Sequence, residues 1–126
     1  MMHASGVGKA LLAAMSAEDV GAIAAAHGLA GETDKTITSL DVLRAELTRV
    51  RQRGYAVDDE ENAVGLRCVA AAIHDEHARP IAALSLSGPT ARIGDAMIAP
   101  LGQAVREAAD DITRAFGGRG AMPIRH

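Results

Sequence analysis

Aromatic residues are nearly missing from this chain: its 126 residues include no tryptophan, one tyrosine (Tyr55) and one phenylalanine (Phe116). A surface that stacks nucleic-acid bases on aromatic rings is therefore excluded. There is one cysteine, Cys68, so neither an internal disulfide nor a cysteine-rich zinc site is available, which fits a reducing cytoplasm. Positive charge is in deficit, with 13 Lys and Arg against 16 Asp and Glu for a net charge of -3. Autonomous DNA binding is disfavoured by that balance. No apolar run approaches the roughly 18 residues of a membrane span, and Met1 to Gly6 lacks the segments of a secretory signal. What remains is 48% hydrophobic and 23% charged, the balance of one globular domain.

Ser5-Gly6-Val7-Gly8-Lys9 reads as a small-residue loop, followed by a helix from Ala10 through Met15. Ser16-Ala17-Glu18-Asp19 fits a capping box, and Val20, Ile23 and Ala24 mark one face of a second helix ending near His27-Gly28. Thr38-Ser39-Leu40-Asp41 fits another, ahead of Leu40, Leu43, Leu47 and Val50 at helical spacing, with Gly54 as C-terminal cap. The period then changes to two. Tyr55 and Val57 form a short strand, Asp58 to Asn62 a loop or bulge, and Leu66 to Ile73 a buried strand. A turn at Asp75 to Pro80 leads into Ile81 to Ser87, which Gly88-Pro89 stops. A last helix runs from about Asp95 to Phe116, with Pro100 in or near its first turns. Arg119 to His126 reads as a flexible tail.

Three features invite a chemical reading. Small residues at a helix start let backbone amides meet an anion, so Gly6-Val7-Gly8-Lys9 is either an anion site or a plain helix start. It is no nucleotide P-loop, because His3 stands where the first glycine is needed and Ala10 where the hydroxyl is needed. Strand alternation puts Leu66, Cys68, Ala70 and Ala72 in one row and Ala83, Ser85 and Ser87 in another. Val69, Ala71, Ile73, Leu84 and Leu86 make the opposite face, which should pack on helices. The small face either lines a polar pocket, with the Ser85 and Ser87 hydroxyls near the Cys68 thiol, or merely permits close packing. A cysteine hydrolase built on Cys68 needs a base within reach, and His74, six residues along the strand, stands about 20 Å away. His74 and His77 as a metal pair lack a third ligand. The run Asp58 to Glu61 reads as solvated, except that Asp58 ends a strand and turns inward. Arg49, Arg51 and Arg53 crowd a helix end, where cations suit the helix dipole.

Met2 to Ala10, Arg53 to Glu61, Gly65 to Ala71 and Ser85 to Pro89 stand in an order and spacing that strongly resemble the effector-binding domain of IclR-type transcriptional regulators. The branch they resemble most is the acetate-operon repressor branch, which controls the glyoxylate shunt and responds to glyoxylate and pyruvate. The resemblance implies an α+β, GAF-like fold, an antiparallel sheet with flanking helices, over residues 1–118. It also implies a pocket for a small 2-oxo acid or related carboxylate, with amides from Gly6 and Val7 and a lining of Asp58, Leu66, Cys68, Ser85 and Ser87. Val7 departs from the smaller alanine of that branch and narrows the pocket.

Full-length members of the family carry an N-terminal winged helix-turn-helix, a linker helix and the first strands of the effector domain. Nothing before Met1 corresponds to these, so the chain reads as a partial domain lacking its first strands. The expectation is a non-enzymatic, cofactor-free sensor that reaches DNA only through that absent domain and associates as a homo-oligomer. A small hydrolase using Cys68 is the rival.

Overall fold

The computed structural model describes residues 2–118; Arg119 to His126, read above as a tail, lie outside them. The order is α1 (Gly6–Ala13), α2 (Ala17–His27), α3 (Leu40–Arg53), β1 (Ala56–Asp59), β2 (Leu66–His74), β3 (Pro80–Pro89) and α4 (Asp95–Ala115). Local chemistry explains most boundaries. Ser16 and Ser39 cap α2 and α3 by accepting from the Asp19 and Val42 amides, and these hydroxyls satisfy donors the helix leaves free. The cap of α3 is thus Ser39 rather than Thr38. Gly54 ends α3 in the left-handed region at φ +87, where a side chain is strained.

Three boundaries correct the sequence reading, the first being that β1 runs on through Asp58 and Asp59, which pair with Cys68 and Arg67 instead of opening the loop. The first helix begins at Gly6, not Ala10: Ser5 accepts from the Gly8 amide and Lys9 donates to the Ser5 carbonyl. The cap outweighs the low helix propensity of the two glycines. Strand β3 also runs through Gly88-Pro89 instead of stopping there, which an edge strand permits because proline's missing N–H costs no ladder bond there.

The three strands form one antiparallel sheet in the order β1-β2-β3. On one face, Ala56, Cys68 and Ala70 pack with Ala10, Leu12, Leu43, Leu47 and Val50 of α1 and α3, and with Val20 of α2. On the other, Tyr55, Val69, Ala71 and Ile73 pack with Val105 and Ala109 of α4. Both faces are therefore covered. The small-residue face reads from the sequence as either a pocket lining or a close-packing surface, and its centre is where α1 lies closest. A Cβ at Gly6 would stand 2.9 Å from the Cys68 Sγ, and one at Gly8 would fall inside the backbone of Met2. Along that seam, small residues serve close packing.

Candidate functional site

The register aligns the polar residues of the α1-covered face. Asp58 pairs with Cys68 and Cys68 with Ser87, so these three cross the sheet in one row. The next row is Ala56, Ala70 and Ser85, and on the other side Leu66 pairs with Pro89. Gly6 approaches both Cys68 and Ala70, which brings the N-terminus of α1 over the first two rows. Gly6, Asp58, Cys68, Ser85 and Ser87 are thus brought together; half-buried Leu66 stands one step beyond. Val7 is half-buried, with its side chain packed against the apolar core.

Exposure divides the group. Asp58 and Cys68 are buried at 3% and 7% exposure, while Ser85 and Ser87 are exposed on β3, which has no strand on its outer side among the described residues. The site has a floor and one wall and is open over β3. Its donors are of two kinds. Among the described residues the Gly6 and Val7 amides have no acceptor, as expected in a first helical turn. The serine hydroxyls are the second kind.

Burial pushes the Asp58 carboxyl above its ordinary range, against the pull of the Glu61 and Asn62 amides that its Oδ1 accepts at 2.8 and 3.3 Å. Burial also raises the Cys68 thiol, opposed by the Ser87 and Ser85 hydroxyls and reinforced by Asp58. At neutral pH the sulfur is a thiol, and its bond is to the Val69 carbonyl at 3.6 Å. A nucleophilic cysteine needs a thiolate and a base at hydrogen-bond distance, and among the described residues no base is hydrogen-bonded to this one. His74 belongs to the far end of β2, and His77 is exposed on the hairpin turn. Among the described residues no group of three or more His, Cys, Asp and Glu is arranged to hold a metal ion.

Sequence reasoning missed Lys9. Its ammonium is fully buried and donates to both oxygens of Glu61 at 2.8 and 3.0 Å and to Glu46 at 3.3 Å. Glu61, read as part of a solvated run, is buried at 8% exposure. The pair ties α1 to α3 and to the loop after β1, and so holds the α1 N-terminus against Asp58. Burial works to raise Glu46, but Lys9, Arg53 and Arg49 outweigh it and hold the carboxyl below its usual range. Arg53 and Arg51 are likewise engaged, with the Tyr55 and Ala13 carbonyls.

Fold and site together define an α+β domain with a polar row lying under a helix N-terminus. Residues 1–114 match the family described as bacterial transcriptional regulator IclR C-terminal, and the chain belongs to that family. It is 50% identical over 117 residues to the acetate operon repressor of Salmonella typhimurium, covering 93% of this chain and 43% of that one. It is similar to the solved IclR of Thermotoga maritima, with a TM-score of 0.87, 34% identity, and 92% and 47% of the two chains covered. A third relative is the inducer-binding domain of the PobR transcription factor from Acinetobacter, solved as a double mutant with 3-hydroxybenzoic acid (TM-score 0.78, 28% identity, 89% and 65% covered). The chain thus spans less than half the length of the curated relative. No described helix is long and apolar enough to cross a membrane.

Proposed function

We propose that this chain is the effector-binding part of an IclR-type repressor and that its ligand is a small 2-oxo acid such as glyoxylate or pyruvate. The carboxylate is received by the Gly6 and Val7 amides, and the remaining oxygens by Ser85 and Ser87. The observation that carries this reading is the polar row Asp58, Cys68 and Ser87 lying under a helix N-terminus with two free amides. Amides at a helix start favour an anion both by direct bonds and by the helix dipole. Half-buried Leu66 stands one step beyond the row, which suits a ligand of few carbons. That the PobR domain was solved with a carboxylic acid supports the ligand class. The 50% identity to the acetate operon repressor supports glyoxylate or pyruvate within it.

The open side over β3 fits a site completed by strands outside this chain. In the whole protein, the ligand would act on DNA binding by a helix-turn-helix domain joined to this one. Calorimetry tests the reading. Losing one hydrogen bond to a charged ligand costs about 1.5–3 kcal/mol, or about ten- to a hundredfold in affinity. Ser85→Ala and Ser87→Ala should each weaken glyoxylate by that order while leaving the unliganded melting temperature within a degree or two. Unchanged affinity in both variants overturns the assignment.

A further inference from the structure

Helix α3 turns two arginines toward the joint between α1 and α2. Arg44, Thr48 and Arg51 follow one another at spacings of four and three, which puts them on one side of the helix. Both guanidinium groups reach the joint: Arg44 donates to the Ala17 carbonyl at 3.1 Å and Arg51 to the Ala13 carbonyl at 3.2 Å. A hollow of about 280 Å³ opens there, with Met15, Val20 and Leu47 as its apolar side and Arg44, Thr48 and Arg51 as its polar side. None of the effector-site residues lines it.

Charge sets this hollow apart. Its wall holds two guanidinium groups and no carboxylate. Among the described residues every lysine and arginine except Arg44, Arg51 and Arg92 stands within 4.0 Å of a carboxylate. In a chain of net charge -3, two of those three unpaired cations therefore share one small space. Their partners in the chain are neutral, namely the two carbonyls and, for Arg51, the Thr48 hydroxyl at 3.2 Å. A guanidinium carries five N–H donors in a fixed fork, so each has donors to spare. Gly21 of α2 leaves room for the Arg44 Nη2, which a Cβ there would approach to 2.9 Å. Glu18 and Asp19, in the first turn of α2, are exposed and lie outside the wall.

We propose that this hollow is an oxyanion site, taking the phosphate group of a small phosphomonoester between Arg44 and Arg51. The planar fork of arginine matches phosphate oxygens two at a time, and a dianion offsets both unpaired charges. The apolar side, with Val20 and Leu47 almost fully buried, suits the short carbon chain of the ester. The inference does not depend on the effector reading, because it uses none of the same residues.

Glycerol phosphate is the probe, with inorganic phosphate beside it, titrated at fixed ionic strength into the isotopically labelled 126-residue chain and followed through the arginine Nε–H resonances. The expected result is a saturable shift of Arg44 and Arg51 at one common midpoint, with Arg92 unmoved and with saturating glyoxylate failing to displace the probe. Arg44→Gln and Arg51→Gln should each weaken binding about ten- to a hundredfold, the effect of losing charge-assisted bonds to one anion. Thr48→Glu, at an exposed position, should abolish binding by placing a carboxylate in the wall; should an arginine variant not fold, Thr48→Glu decides alone. Tighter binding of the ester than of phosphate supports the esterified source, and equal binding overturns it in favour of free phosphate. A drift without saturation, an equal shift at Arg92, displacement by glyoxylate, or unchanged affinity in Thr48→Glu each overturns the site itself.

Discussion

Asp58 and Lys9 show how single residues set the terms of the site. The Asp58 carboxyl is raised chiefly by burial. When ionised it repels an incoming carboxylate; as pH falls through its raised pKa it takes a proton, loses that repulsion and gains a donor. Glyoxylate affinity should therefore rise as pH falls through that raised value, which lies above the ordinary range of an aspartate, and Asp58→Asn should flatten the profile. An affinity that falls with pH in the wild type would contradict this placement. Asp58 turning inward was legible, because a carboxylate ending a strand of alternating burial points one way or the other. Lys9 was not: its partner Glu61 is 52 positions away in a run that looks like any solvated acidic stretch. Removing one member of such a buried pair costs about 3–5 kcal/mol, because the other charge is left uncompensated.

Caps and periods made the elements legible, while coverage of the sheet was not. Gly54 and the serines ahead of α2 and α3 carry their own chemistry, and α4 shows its apolar stripe across 21 residues. Helix α1 begins four residues earlier than expected because Ser5 does the capping and the glycines answer to packing, against Cys68 and Met2. Alternation along β2 and β3 separates small from large side chains, but it does not say that a helix lies on the small ones. That decision rests on the backbone approach at Gly6, a long-range fact. Ser5→Ala tests the element directly. Losing the cap should cost about 1 kcal/mol of stability, and frayed first-turn amides should weaken glyoxylate binding by more than the stability change alone accounts for. Equal glyoxylate affinity in Ser5→Ala and wild type would remove α1 from the site.

As a whole, the described molecule is a sheet covered on both faces, with β3 as one of its two edge strands. Strand β3 presents Ser85, Leu86 and Ser87 at the surface, with Leu86 43% exposed, and a long edge of this kind invites a further strand. The expectation is that copies of the chain associate along β3, and sedimentation showing a monomer at every concentration would contradict it. The family resemblance was legible because four separated blocks keep their order, and the match over residues 1–114 bears it out. Which acid binds is not legible, since on the proposed reading it depends on groups that close the site over β3.

The central claim is that the first turn of α1 and the serines of β3 hold one carboxylate between them. Amide chemical shifts of the isotopically labelled chain during a glyoxylate titration test it most directly. The account requires the Gly6 and Val7 amides to move downfield together with Ser85 and Ser87, saturating at one common midpoint while the α3 amides stay still. Saturable binding that leaves Gly6 and Val7 unmoved would contradict it.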